Sequence, residues 1–422
     1  MTKTHKMTDI GIIPNDWTVM TIEEVGHSFS YGVGAEAIPY DGRNKYIRIT
    51  DIDDESAQYR PSPIVSPLFF GEQHILKEGD IVVARTGASV GKSYIYNKID
   101  GKLIFAGFLM KFNVNGCNPP YLAYHLRTKQ YKQWVNTESA RTGQPGLNIE
   151  QLKQFAFPLP SNPNEQSVIA TILTNVDSLI NSIEKAINKK KLMKDGAMQQ
   201  LLTGKVRLTG FKEPWVEKSM MEIGQTYNGI TGKGKADFGH GNSRFITFLN
   251  ILNNPSININ ELESVDIDPI NDGQNEVRKG DLFFNTSSET PEDVGTCSTL
   301  LHDVENVYLN SFCFGFRLKD SEISGLFMSY YFRSEIGRHE MATLAQGATR
   351  YNLSKENFYK IIVRVPKTKE EQNAITKVLA TMDSEISALE AERDKYISIK
   401  QGMMQKLLTG QIRLPQSCLK EE

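Results

Sequence analysis

The chain has 422 residues, 48 Lys+Arg against 50 Asp+Glu for a formal net charge of −2, and 39% hydrophobic with 23% charged residues. That length exceeds one ordinary core and predicts two or three domains; no apolar run approaches the roughly 18 residues of a membrane span, and no signal region follows the opening Met1-Thr2-Lys3-Thr4-His5-Lys6, so the expected compartment is cytoplasmic. Cys117, Cys297, Cys313 and Cys418 stand too far apart for a zinc site or a disulfide framework, so no metal is expected.

Asn15-Asp16-Trp17 opens a first globular unit, with Arg48 on an early strand. Gly79-Asp80-Ile81-Val82-Val83 then reads as a turn followed by a strand. The loop from Thr86 to Lys92 comes close to a phosphate-binding loop, but Thr86 stands where the first glycine belongs. Tyr94-Ile95-Tyr96 continues as a strand, whereas a phosphate loop must open a helix. Arg85, Thr86, Ser89 and Lys92 suit DNA instead, with Arg85 able to reach a guanine edge and Lys92 a phosphate. An ordinary polar hairpin is the plainer alternative. Asn118-Pro119-Pro120-Tyr121 spells the motif with which amino-methyltransferases hold a target base. That chemistry also needs a glycine-rich cofactor turn, and Tyr31-Gly32-Val33-Gly34 lacks the preceding strand and the following acid. Two prolines ahead of Tyr121 read more simply as a helix start. Arg141, Gln144 and Asn148 lie in a glycine-containing loop before the last strand, where arginine can pair with guanine and amides with adenine.

Pro160 ends that strand, and Asn162 to Glu165 resembles a capping box opening a long helix. Ile169, Leu173, Val176, Ile180 and Ile183 follow at spacings of four and three, the seam of a coiled coil rather than the wider stripe of a surface helix. The seam continues through Ile187, Lys190 and Lys194, whose cations are expected to weaken the zipper and snorkel to water. Lys189-Lys190-Lys191 could face DNA or an acidic partner, although a solvated face is the commoner meaning of such a run. Leu201-Leu202-Thr203-Gly204 closes the helix.

Glu213-Pro214-Trp215 opens a second unit that repeats the first. It holds Arg244, then Gly280-Asp281-Leu282-Phe283-Phe284 and the loop with Asn285 and Ser287. Tyr330-Tyr331-Phe332-Arg333-Ser334 matches Tyr124-His125-Leu126-Arg127-Thr128, and Arg350 and Asn352 occupy the loop before the last strand. A second long helix carries the seam Ile375, Leu379, Met382, Ile386 and Leu389 and reaches Arg393 and Lys400. Residues 165–208 and 371–414 share 19 identities in 44 positions, including a matched Gly196 and Gly402 in mid-helix. Neither seam could stay in water alone, so each is expected to cover the other. About 40 residues make a rod of roughly 60 Å.

Two variable globular units alternating with two alike helices resemble the specificity subunit of type I restriction-modification systems. The likeness rests on the Gly-Asp-(apolar)3 pattern running into Arg85-Thr86-Gly87, the Leu-x-Tyr-x-Leu-Arg-like helix, the Pro-x5-Gln entry into each rod and the Leu-Leu-Thr-Gly that closes it. Asn285-Thr286-Ser287-Ser288 departs from the Arg-Thr-Gly signature. The resemblance implies an α+β chain with a pseudo-twofold duplication: target-recognition domains over 1–160 and 209–366, spacer helices over 161–208 and 367–416 packed as an antiparallel coiled coil, and a tail over 417–422. It also implies a non-catalytic, sequence-specific subunit in which each domain reads half of a split site in double-stranded DNA. Two modification subunits and restriction subunits would be its partners, with S-adenosylmethionine, ATP and magnesium held by them. A DNA adenine methyltransferase using Asn118 to Tyr121, and a coiled-coil adaptor without DNA affinity, are the competing readings.

Overall fold

The computed structural model describes residues 5–140, 144–347 and 351–415. Two compact units divide the chain, one formed by Met1–Glu184 with Ala391–Glu422 and the other by Lys185–Glu390. Each unit therefore takes the start of one long helix and the end of the other, rather than a contiguous stretch of sequence. The helices run Pro163–Leu201 and Lys369–Leu407, 39 residues each.

In the first unit a four-stranded antiparallel sheet has the order Gly26–Tyr31, Leu109–Val114, Asp80–Ala84, Ser93–Ile95. The Gly79-Asp80 turn leads into Asp80–Ala84, buried along its whole length, and this apolar run is one of the two inner strands. A parallel pair, Lys45–Ile47 with Leu103–Phe105, lies apart from it, and Ala156–Pro160 pairs with Trp17–Thr21. The second unit repeats the plan: Gly224–Asn228, Cys313–Leu318, Leu282–Asn285, Cys297–Thr299 form its four-stranded sheet. Phe238–Ile246 pairs in parallel with Val307–Leu309, and Val216–Ser219 pairs with Ile362–Val365.

The two helix segments of each unit run antiparallel, and their ends are part of the unit's core. In the first unit Ile169 and Leu173 from one helix and Met404, Leu407 and Leu408 from the other join Trp17, Tyr121 and Phe157. In the second, Met198, Leu201 and Leu202 meet Ile375, Leu379, Trp215 and Phe327. Ile180, Ile183 and Ile386 are buried, while Val176, Met382 and Leu389 are half-buried, so the seam predicted from the 3.5-residue period is the covered face.

Several details of the rods differ from expectation. Asn162 caps the first helix through Asn164 N–H at 3.0 Å and Thr368 caps the second through Glu371 N–H at 3.5 Å, but the glutamates are not the reciprocal half of a capping box. Glu165 is buried and accepts from the Trp17 indole at 3.3 Å and from Arg413 at 2.8 and 3.0 Å. Glu371 likewise takes Trp215 at 3.3 Å and Arg207 at 2.6 and 2.7 Å. Two of the seam lysines do not snorkel into water either. Lys400 is buried and paired with Asp177, and Lys194 meets Asp383 at 2.5 Å. Charge complementarity also accounts for the basic run, since Lys190 and Lys191 pair with Glu385 and Glu390 of the other helix at 2.5 and 2.7 Å.

Gly204 and Gly410 close the helices at φ of +70° and +69°, with Val206 N–H reaching back to the Gln200 carbonyl and Ile412 N–H to that of Lys406, both at 3.1 Å. The Gly204 and Gly410 amides themselves donate to the Leu201 and Leu407 carbonyls at 3.4 and 3.3 Å, the five-to-two bond of a Schellman cap, which needs a left-handed residue. Gly196 and Gly402 have no such role: a Cβ at either would meet nothing within 4 Å. Close backbone approach does not explain them. Gly196→Ala and Gly402→Ala are each expected to stabilise the purified chain by about 1 kcal/mol, read as a higher urea midpoint with an unchanged slope.

Candidate functional site

The loops expected to read a ligand converge in each unit. In the first, Thr86 forms a bridge with Gly146, Gly87 N–H donates to the Pro145 carbonyl at 3.1 Å, and Leu147 N–H donates to the Arg85 carbonyl at 2.8 Å. Arg85 N–H in turn donates to the Phe108 carbonyl at 3.0 Å. The sequence places these segments about 60 residues apart, and the fold makes them one surface. The second unit repeats the backbone pattern: Leu353 N–H donates to Thr286, Thr286 N–H to Phe312, and Ser287 pairs with Asn352.

The side chains at these matched places differ. The Arg85 guanidinium lies 4.5 Å from the centre of the Tyr31 ring, and its Nε has no hydrogen-bond partner among the described residues. A guanidinium placed over an aromatic face suits a carbonyl-rich or anionic ligand. Gln144 is exposed beside it, its amide 3.1 Å from where a Gly87 Cβ would stand. At the place of Tyr31 the second unit has Asn228, bonded to Lys355, and at the place of Arg85 it has Thr286, whose hydroxyl donates to the Phe312 carbonyl at 2.7 Å. Thus the frame is constant and the functional groups are exchanged.

Other expected contacts are taken up internally. Asn285 is buried; its amide donates to Ser287 and Asp293 and its carbonyl accepts from Thr296, so it shapes the loop and offers nothing to a ligand. Asn148 caps the helix Ile149–Lys153 by accepting from Gln151 N–H at 2.8 Å. Lys92 donates to the Ile52 carbonyl at 3.0 Å and pairs with Asp54 at 2.6 Å, which removes it as a free phosphate contact. Arg48 is held twice by buried Asp51, at 2.9 and 2.7 Å, and that carboxylate pushes its pKa up. Among the remaining expected residues, Arg244 is exposed on its strand, Asn352 is exposed opposite Ser287, and Thr86 and Ser89 are half-buried in the loop. Arg141 and Arg350 lie outside the described residues.

Two enzyme-like motifs resolve into structure. The Asn118 side chain accepts from Tyr121 N–H at 3.0 Å as the cap of Pro119–His125, and Tyr121 is fully buried with its hydroxyl on the Pro158 carbonyl. The Asn118 side-chain carbonyl is spent on the cap, and the Tyr121 ring belongs to the core. The stretch after Thr86 is a 3-10 turn followed by the strand Ser93–Ile95 and opens no helix. No group of His, Cys, Asp or Glu among the described residues could hold a metal ion, and no described helix is long and apolar enough to cross a membrane.

Sequence reading missed the groups that fix the reading domains to the helices. Asp177 accepts from Tyr124 at 2.9 Å and from Arg127 at 3.0 Å and pairs with Lys400. Burial pushes its carboxyl up, but Arg127 and then Lys400 outweigh burial and hold it below the ordinary value. Asp383 is its counterpart, with Tyr330 at 2.6 Å and Lys194 at 2.5 Å, while Arg333 turns to the carbonyls of Cys297, Leu252 and Asn254. A cavity of about 890 Å³ borders the first cluster. Of the cations that line it, Lys92, Arg127 and Lys400 are matched by Asp54 and Asp177, and Arg393 pairs with Asp394. The Pro-x5-Gln motif also gains a reason: Gln166 donates to the Pro160 carbonyl and accepts from Asn118 N–H, and Gln372 does the same with Pro366 and Ser324.

A family model described as the type I restriction modification DNA specificity domain matches residues 14–190 and again residues 212–398. A putative type I restriction enzyme specificity subunit, MjaX, of Methanocaldococcus jannaschii is 28% identical over 433 residues, covering 97% of this chain and 96% of that one. Among solved structures, a type I restriction-modification S subunit from M. genitalium superposes with a TM-score of 0.59 at 17% identity, over 97% of this chain and 99% of the other. A chain from a study of assembly and conformational transition of the type I R-M system gives 0.57 at 15% identity, over 95% and 99%.

Proposed function

The chain belongs to the type I restriction-modification DNA specificity family, and from that membership we propose that it is the recognition subunit of such a complex, each globular domain reading one half of a bipartite site in double-stranded DNA. One observation carries this reading: the two domains keep the same backbone bonds between loops while the side chains those loops present differ, Arg85, Tyr31 and Gln144 in one and Thr286, Ser287 and Asn352 in the other. Two readers that must distinguish different base pairs need a shared frame with exchanged hydrogen-bonding groups.

On this reading the paired helices set the length of unread DNA and offer a docking surface to modification subunits. S-adenosylmethionine, ATP and magnesium belong to the partner subunits, and this chain contributes no catalytic group. The capping role of Asn118 and the burial of Tyr121 favour this over methyl transfer by the chain itself. The near-neutral net charge leaves part of the phosphate grip to the partners.

Sequencing the modified bases of cells that carry the assembled complex yields its motif. Replacing residues 1–158 with the matching unit of another specificity subunit is expected to change one half of that motif and leave the other half and the spacer intact. A change in both halves would overturn the assignment of one reader to each domain, and methyl transfer by the purified chain alone would overturn the non-catalytic role.

A further inference from the structure

Phe108 and Phe312 are large apolar side chains left 65% and 61% exposed. Single exposed apolar residues are ordinary, but these two hold equivalent positions in the backbone of their domains. Each is the third residue of a tight turn, closed by Leu109 N–H on the Ala106 carbonyl at 2.8 Å and by Cys313 N–H on the Asn310 carbonyl at 3.1 Å. Each turn joins the second strand of the parallel pair to the strand at the heart of the four-stranded sheet.

Each carbonyl is also held by the first residue of the reading loop, Phe108 by Arg85 N–H and Phe312 by both the amide and hydroxyl of Thr286. A glycine packs beneath each turn: a Cβ on Gly32 would stand 2.1 Å from the Ala106 carbonyl, and one on Gly229 2.1 Å from that of Asn310. The backbone under the two rings is therefore fixed, while the rings themselves have no core to enter. Around them the hydrogen-bonding residues have changed between domains, and the phenyl group has not.

We propose that Phe108 and Phe312 are base contacts, one for each half-site, whose rings meet the apolar surface of a base or base step beside the hydrogen bonds made by the reading loop. The proposal rests on the DNA-reading role given above and extends it to two residues outside the polar sets. Aromatic side chains recognise the thymine methyl group or wedge against a base step, and a rigid mounting limits the ordering cost of doing so. A protein interface is the less favoured occupant, because the residue that carries each ring is bonded through its carbonyl to the first residue of a reading loop.

The test uses the full chain assembled with its modification subunits and a duplex carrying the mapped motif. A second set of duplexes has each base pair of the site replaced in turn. The native complex is expected to bind its own site best, with each replacement weakening binding about tenfold or more. Phe108→Ala is expected to lose about tenfold in discrimination at one or two adjacent pairs of one half-site, Phe312→Ala the same in the other half-site, and Phe108→Leu to retain most of it. A Phe108→Ala profile that superimposes on the native one, or that is weakened evenly at all positions, overturns the proposal and leaves DNA reading intact. Loss of assembly with modification subunits, with unchanged base discrimination, places the ring at a protein interface and also overturns it. A native complex with no preference for any site overturns the DNA-reading role itself.

Discussion

Asp177→Asn is expected to lower the stability of the chain by roughly 3 kcal/mol at neutral pH, the low end of what breaking a buried ion pair costs. The carboxylate is 14% exposed, and its partners Arg127 and Lys400 are 15% and 9% exposed, so the substitution leaves two poorly hydrated cations facing each other across an amide. Lys400 shows the conflict directly: burial and Arg127 push its pKa down, and Asp177 opposes them. Adding Lys400→Met to Asp177→Asn is expected to restore part of the loss, because the second cation goes with the first anion. Urea denaturation followed by circular dichroism measures both. The pH dependence has a definite sign. A carboxyl held below its ordinary value contributes stability that is full above about pH 4 and is lost as pH falls through the lower folded value. The native chain should therefore converge on Asp177→Asn as the solution is acidified, and an undiminished gap at acid pH would show that the carboxylate's charge is not what matters.

The same substitution at Asp383 is expected to cost less, roughly 1–2 kcal/mol. Its side chain is 27% exposed, it faces one cation rather than two, and Arg333, the match of Arg127, spends its donors on backbone carbonyls. Duplication preserved the carboxylate, the tyrosine, the lysine and the arginine in both units, and the arginine's different contacts left the first cluster more tightly bound.

How much of this was legible in the sequence follows from which forces are local. The long helices and their seams were legible because period and caps are written along one chain segment, and the repeat confirmed each through the other. Asp177 and Asp383 are identical across the repeat, yet they stand beside Val176 and Met382 of the seam, and a pattern built from apolar positions passes over them. Trp17 and Trp215 open the two units and Glu165 and Glu371 stand at the starts of the two helices, but 148 and 156 residues separate the bonded partners, and no local rule joins them. Arg85 and Gln144 were chosen for chemistry alone, and so were Asn148, Lys92 and Asn285. Only the fold separates them, by consuming the last three in a cap, an ion pair and a loop. Phe108 and Phe312 escaped because a phenylalanine next to a strand reads as core. Their exposure is a property of the turn, which depends on the Arg85 and Thr286 amides brought in from elsewhere.

Lengthening both helices by four residues, after Ile183 and after Leu389, is expected to abolish binding at the native site and create binding at a site whose half-sequences are unchanged and whose spacer is one or two base pairs longer. Four residues add roughly 6 Å, against about 3.4 Å for each base pair of DNA. Both insertions are needed. In the first unit Asp177 is pinned to Lys400, and in the second Lys194 is pinned to Asp383, so an insertion between Asp177 and Lys194 in one helix demands a matching one between Asp383 and Lys400 in the other. An insertion after Ile183 alone would pull one pin out of register and expose a buried lysine, and its expected result is loss of stability rather than a new spacer. Loss of specific contacts at the native site returns binding to the non-specific level, a drop of about 10³-fold or more. The matched variant recovers that factor on the longer site. Motif mapping by sequencing of modified bases, with affinity measured at one fixed salt concentration, reads both effects. A matched variant that still selects the native spacer would show that the helices do not set the distance between the readers.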